Sequence, residues 1–539
     1  MTIVIVGGVA GGASAATRAR RLNEEAEIIL FEKDEYVSFA NCGLPYYLGG
    51  EIADRGKLLV ATADFLTQRF RLDVRAGQEV IEVDRASKAV TVKNHATGEQ
   101  YQQGYTKLIL APGACPVMPS LEGSDAQNVF TLRNVADTDA IHAAMQQVES
   151  KRAVVVGAGY IGLEMVEQLA HQGFEVALVE LQSQVLPLLD PEMAQPLADE
   201  LRSKNVAVHL NCSVKRFLSD TQGRLCGAEL SDSTRIDAAL AIVGVGVRPL
   251  NQLAQHTGLG IGTDGGIETN EFMQTSDPDI YAVGDAVQYR FGPTGEAMRV
   301  ALAGPANRAG RLAGEHAATN SSAPMARVQG TSIVRVFGQV AGMTGLSVKQ
   351  ARRLDIPARS VTIVSPCHAG YYPNATPITL KLVFDPRDGR VLGAQAVGAN
   401  GIDKRIDVIA TAMSFDATVR DLAGLDLTYA PPFGSAKDPV HTAAFAAGNQ
   451  LDGVTDFVDA DADLSGMQVL DVRTVSEIQK LPLAGVEAPI HIPLHELRDR
   501  LDELDMHAET AITCQISLRA HIASCILRQS GFTNVHVIS

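Results

Sequence analysis

The sequence predicts an α/β protein with two Rossmann-like dinucleotide-binding domains, an α+β domain and a small C-terminal α/β domain. Two stretches repeat the order strand, glycine turn, helix, strand. From about Gln329 the pattern changes to alternating strands separated by Pro and Gly turns, and the tail returns to short strands and helices. At 539 residues the chain exceeds one ordinary core, since ~100 to 200 residues make a domain.

The first unit begins at once. Thr2 to Val6 is a β-branched strand that reads as structure rather than as a signal peptide, because no basic leader or cleavage site accompanies it. It runs into Gly7-Gly-Val-Ala-Gly-Gly12, a helical stretch from Ala13 to Leu22, and the strand Glu27 to Glu32. Gly7, Gly8, Gly11 and Gly12 would let the backbone approach a pyrophosphate at a helix N-terminus, with Glu32 at the ribose and Lys33 beside it. Val9 occupies the middle position of the G-x-G-x-x-G pattern, so this stretch alone fits a plain glycine turn equally well.

The second unit is complete. Arg152 to Val156 leads into Gly157-Ala-Gly159-Tyr160-Ile161-Gly162-Leu-Glu164, and Phe174 to Glu180 supplies the next strand and its terminal acid. A carboxylate at Glu180 repels a 2'-phosphate, so NADH is expected, with NADPH as the second choice.

With 46% hydrophobic and 20% charged residues, the chain can bury sizeable cores and is not a disordered protein. A formal charge of −16 argues against nucleic acid as a partner, and no run is long enough to cross a bilayer. The seven cysteines, at 42, 115, 212, 226, 367, 514 and 525, form neither a disulfide framework nor a metal-ligand spacing, so no metal is expected and a reduced cytoplasm suits them.

Cys42 stands apart in Ser38-Phe-Ala-Asn41-Cys42-Gly-Leu-Pro-Tyr-Tyr47, ten residues after the first unit. Gly43 and Pro45 permit a sharp turn into a helix, whose N–H groups would lower the thiol pKa. A lone cysteine is more often a small buried hydrophobe, and the other five outside the tail motif are read that way.

Two glycine units in one chain imply a bound flavin and an exchanging nicotinamide. Leu108-Ile-Leu-Ala111-Pro-Gly113, Ile242-Val-Gly244-Val-Gly-Val-Arg-Pro249 and Thr275-Ser-Asp-Pro-Asp-Ile-Tyr-Ala-Val-Gly284-Asp285-Ala286 resemble motifs of the pyridine nucleotide-disulfide oxidoreductases. The resemblance implies FAD at the first unit and at Asp285, with Ala301 nearby, and nicotinamide at the second. It divides the chain into an FAD domain (1–112 and 250–325), an NAD(P) domain (113–249) and a dimerisation domain (326–448).

Within that family, the segment around Cys42 is similar to the coenzyme A disulfide reductase branch, whose single cysteine cycles through a mixed disulfide with coenzyme A. Two-cysteine reductases separate the pair by four residues, and no partner appears in Gly43 to Tyr47 after Cys42. His368-Ala-Gly-Tyr371-Tyr-Pro and Tyr429-Ala-Pro-Pro-Phe resemble the branch's tyrosine motifs. They imply a homodimer in which Tyr371 and Tyr429 reach Cys42 of the other subunit. The same resemblance places coenzyme A, as substrate or bound group, near Ser14, Arg18, Arg21, Ser38, Asn41 and Lys437. The branch that acts on peroxide carries a His in the first glycine loop, where this chain has Val9 and Ala10.

The polar stretch 449–463 is expected to be a linker. Beyond it, Gln468-Val-Leu-Asp471-Val-Arg473 and Cys514-Gln-Ile-Ser517-Leu-Arg519 resemble a rhodanese domain (464–539), in which Cys514 would carry a persulfide beside Arg519. Ser517 stands where that loop usually has Gly, and the stretch from Leu483 to Ile490 lacks the usual Gly-His-Ile. The combined expectation is an NADH-dependent reductase of polysulfide or of coenzyme A persulfide or disulfide, with Cys514 delivering sulfane sulfur. A coenzyme A disulfide reductase with an accessory rhodanese domain, an NADH oxidase, and a redox sensor or sulfur carrier without turnover are the alternatives.

Overall fold

A computed structural model describes residues 1–458, 462–483 and 489–538. The chain divides into two compact units, Met1–Gly338 and Gln339–Ser539.

The first unit contains the same architecture twice. One five-stranded parallel sheet runs Ile280–Ala282, Lys107–Leu110, Thr2–Val6, Glu27–Glu32, Asp73–Ala76. The other runs Ala207–His209, Glu175–Val179, Arg152–Val156, Leu240–Val243, Val129–Phe130. Their central strands read as unbroken Val and Ile runs because helices cover both faces of a parallel sheet, and Ile3, Val4, Ile5 and Val154, Val155 are fully buried. Each copy adds a three-stranded antiparallel sheet, Gln78–Gly104 in one and Val214–Asp237 in the other. The chain crosses between the two parallel sheets along Ala114–Pro116 and Val247–Pro249, which pair antiparallel.

In the second unit, Gln339–Gly345, Val391–Gly398, Pro377–Phe384 and Arg359–Pro366 form consecutive antiparallel strands. The helices Ile402–Met413 and Pro439–Leu451 cover this sheet. Arg405, almost wholly buried, ties them by an ion pair to Asp438 at 2.8 Å and donates to the Cys367 carbonyl at 2.8 Å. The tail is a five-stranded parallel sheet ordered Asp456–Val458, Val535–Ile538, Thr510–Thr513, Gln468–Asp471, Ile490–His491.

The expected linker is thereby corrected at both ends. The preceding helix runs on to Leu451, and Asp456–Val458 is an edge strand whose Phe457 packs against the cores on both sides. Its polar composition reflects an edge position, where one side of the strand stays unpaired. The middle of that stretch (459–461), most of the departure noted before Ile490 (484–488) and the last residue of the tail domain lie outside the described residues.

Candidate functional site

The two glycine loops are built alike. Gly7 and Gly157 both take positive φ, 97° and 100°, and a Cβ there would meet the Ala111 and Gly244 carbonyl oxygens at 2.1 and 2.5 Å. A Cβ on Gly12 would lie 1.8 Å from the Gly7 oxygen, and one on Gly162 1.9 Å from the Gly157 oxygen. The middle position behaves differently, because a Cβ on Gly159 meets nothing within 4 Å. Val9 is therefore tolerated in the first loop, and the missing glycine does not change the turn.

The strand-end acids close the loops. Glu32 accepts from the Gly8 N–H at 2.7 Å and the Asp34 N–H at 3.0 Å, and Glu180 accepts from the Ala158 N–H at 2.7 Å and the Gln182 N–H at 2.8 Å. Burial pushes the Glu32 carboxyl up while those N–H groups hold it down. Both loops open on one cavity of about 1660 Å³ within the first unit. Gly7, Gly11, Glu32, Lys33, Ala111, Gly113, Gly284, Asp285 and Ala301 line it from one side, and Gly157, Gly159, Tyr160, Ile161, Glu164, Glu180 and Gly244 from the other. Gly8, Gly12 and Gly162 pack behind the loops. Backbone N–H groups, small residues and a carboxylate at each strand end fit two dinucleotides.

Cys42 lies on the wall of the same cavity, in a short turn Asn41–Gly43 ahead of the five-residue helix Leu44–Leu48. Its sulfur is exposed to the cavity, yet the surrounding protein desolvates it. The expected lowering of the thiol pKa is not what the protein groups produce: desolvation, Glu164 and Asp285 all push it up, and Arg133 alone among the nearby charges opposes them. The helix is too short to offset two carboxylates. Arg133 also pairs with Asp285 at 3.0 Å. Sequence reading missed it, although Asn134 and Asp137 three residues later form a capping box that fixes Arg133 at a helix start.

The residues expected near coenzyme A are otherwise engaged. Arg18 pairs with Glu315 at 2.6 Å, the Arg21 guanidinium lies 5.0 Å from the Phe70 ring, and the Ser14 hydroxyl donates to Asn307 at 2.6 Å. The Asn41 amide donates to the Arg133 carbonyl. Ser38 takes positive φ, 47°, and its carbonyl accepts from Val60 and Ala61.

In the second unit, the Tyr371 and Tyr429 hydroxyls lie 3.1 Å apart on the surface, with Tyr371 77% exposed, and their hydrogen bond raises the Tyr371 pKa. Lys437 is exposed. Cys514 sits at the C-terminal end of Thr510–Thr513, and the Ala520 N–H reaches its sulfur at 3.4 Å. Arg519 does not stand free beside it, because Glu477 takes the guanidinium through two bonds of 2.8 and 2.7 Å. Arg473 is held by both carboxylate oxygens of Asp471, through its Nε and one terminal nitrogen. Ser517 adopts φ 61°, a left-handed conformation that costs a residue with a Cβ roughly 1 to 2 kcal/mol. Ser517→Gly is expected to stabilise the tail by about 1 kcal/mol in urea unfolding.

Known proteins share this fold. The family described as pyridine nucleotide-disulphide oxidoreductase matches residues 1–308, and its dimerisation domain matches 332–439. The coenzyme A disulfide reductase of Staphylococcus haemolyticus is 36% identical over 448 residues, covering 83% of this chain and 99% of that protein. The reduced CoADR-RHD of Bacillus anthracis superposes with a TM-score of 0.95 at 43% identity, covering 100% of this chain and 96% of that one. The NAD-dependent persulfide reductase of A. fulgidus gives 0.91 at 35% identity, covering 100% and 99%.

Proposed function

The chain belongs to the pyridine nucleotide-disulphide oxidoreductase family, and from that membership we propose that it is an FAD-dependent NADH reductase of sulfur–sulfur bonds. The observation that carries the reading is Cys42 on the wall of a cavity that also receives both dinucleotide loops. The relatives supply the substrate class, one being a coenzyme A disulfide reductase and another a persulfide reductase.

FAD bound there would supply the two-electron chemistry that links hydride transfer from NADH to reduction of sulfur. The first glycine loop, Glu32 and Asp285 would hold it, and the second loop and Glu180 would hold NADH. Cys42 has no cysteine partner nearby in sequence, and all seven cysteines are free. Its oxidised form is therefore a sulfenic acid or a mixed disulfide with a small thiol, and the relatives favour coenzyme A or a persulfide for that partner. As thiolate, Cys42 attacks the acceptor's S–S bond and releases a thiol or hydrosulfide.

Tyr371 and Tyr429 assist that leaving group from the other subunit of a homodimer; their exposure as a hydrogen-bonded pair supports a surface that a second copy covers. Arg18, Arg21, Ser14, Ser38, Asn41 and Lys437 contact coenzyme A only after exchanging their present partners where they have them. The tail is a rhodanese-like domain working in a reduced cytoplasm, and Cys514 delivers sulfane sulfur to Cys42. In that loop the backbone N–H of Ala520 supports the sulfur anion, while Arg519 fixes the loop through Glu477.

Steady-state rates with polysulfide and with coenzyme A disulfide test the relay. Cys514→Ser is expected to lower polysulfide turnover by roughly tenfold or more and to leave coenzyme A disulfide turnover unchanged. Equal polysulfide rates in wild type and variant would reduce the tail to an accessory domain.

A further inference from the structure

We propose that Glu164, hydrogen-bonded by Tyr46, holds the proton that each turnover delivers to the sulfur released at Cys42. The inference rests on Cys42 being the redox thiol. Reduction of a disulfide by NADH follows NADH + H⁺ + RS–SR → NAD⁺ + 2 RSH. The hydride supplies the electron pair and one hydrogen; the second hydrogen is a proton from water, and it must reach a leaving sulfur inside the cavity.

Glu164 projects from the helix Tyr160–His171 into the cavity that Cys42 lines. Its bonded partner is the Tyr46 hydroxyl, 3.0 Å from Oε1, four residues after the cysteine. Among the described residues Glu164 makes no ion pair. Arg335, a cation that acts on Glu164, lies 5.6 Å from the Tyr46 ring, but Glu51 and Glu167 already hold it, the latter at 2.7 Å. His171 stands beyond, 4.0 Å from Glu51. The same arrangement fills the Glu51, Glu167 and His171 cluster with the protein's own cation. Glu164 is thus a half-buried carboxyl facing a phenol, with a second carboxylate, Glu167, one turn away.

Burial and the Glu167 charge push the Glu164 carboxyl up to about 7, with Tyr46 and Arg335 pulling the other way. Glu164 in turn raises the Cys42 thiol, together with Asp285 and against Arg133. The two groups compete for one negative charge. When Cys42 is a thiolate, Glu164 favours its protonated form; when the S–S bond at Cys42 breaks and RS⁻ leaves, Glu164 gives RS⁻ its proton, and the Tyr46 O–H donates to the carboxylate that remains. Because the carboxyl is raised, the proton is present below about pH 7 and is lost as pH rises through that value.

The test reads Cys42 directly. Reduced, desalted holoenzyme is alkylated with iodoacetamide from about pH 5 to pH 10 and modification at Cys42 is followed by peptide mass spectrometry. Wild type is expected to gain reactivity in two steps, the lower near pH 7. Glu164→Gln, nearly isosteric and checked by its flavin spectrum, is expected to give a single step at lower pH than the wild-type upper one. Tyr46→Phe is expected to move the lower step upward. A one-step wild-type profile, a Glu164→Gln profile that superimposes on wild type, or a lower step unmoved in Tyr46→Phe overturns the proposal. The profile needs no acceptor, so it fails independently of the sulfur-reductase reading, which Cys42→Ser tests.

Discussion

Cys42→Ser is expected to leave the flavin fully reducible by NADH and to lower turnover of every sulfur acceptor by ~10³-fold or more, since a hydroxyl can neither form the mixed disulfide nor accept the electron pair. Both glycine loops stand apart from residue 42 in the chain, and a serine adds no volume to the cavity wall, so binding of the two dinucleotides is preserved. The measurement is anaerobic: one equivalent of NADH bleaches the flavin absorbance in the variant, and adding coenzyme A disulfide or polysulfide fails to restore it. Rapid reoxidation by either acceptor would move the chemistry from Cys42 to the flavin itself. Oxygen uptake without a sulfur acceptor, undiminished in the variant, would favour an NADH oxidase.

The two dinucleotide units were legible because their chemistry depends on backbone geometry, and glycine is the residue that writes backbone geometry into a sequence. Even the irregular first loop carries its signal at the two positions where a side chain would strike a carbonyl, Gly7 and Gly12. Electrostatics were less legible. Cys42 was expected to be an acidic thiol because a helix follows it, whereas desolvation by the surrounding fold raises it first, and Glu164 and Asp285, over a hundred residues away in sequence, add to that. Arg519 was expected to stand beside Cys514 with its charge free; it does interact with Cys514, but Glu477, from the helix Val475–Lys480, also holds its guanidinium in an ion pair. In each case the deciding partner arrives through the fold from a distant segment, and residue spacing holds no record of it. Tyr46 was within the motif quoted for Cys42, but only the packing of its helix against Tyr160–His171 gives its hydroxyl a partner.

Gly12→Ala and Gly162→Ala form the second test, because the same substitution at equivalent places should produce opposite losses. In each the new Cβ meets a backbone oxygen, at 1.8 Å from Gly7 and 1.9 Å from Gly157, contacts that no side-chain rotation relieves. The loop must move away from its helix, at a cost of about 1 to 3 kcal/mol, or roughly 5- to 150-fold in affinity for the dinucleotide it cradles. Gly12→Ala is expected to purify with substoichiometric flavin, read from absorbance after gel filtration. Gly162→Ala is expected to keep its flavin but to need ~10- to 100-fold more NADH for half-reduction. Val9→Gly is the control: Val9 already sits at negative φ, −92°, in the first loop, so removing its side chain should leave flavin occupancy unchanged. Loss of flavin from Gly162→Ala with retention in Gly12→Ala would exchange the two sites. Electrons would then have to enter at the first loop, beside the strand that leads to Cys42.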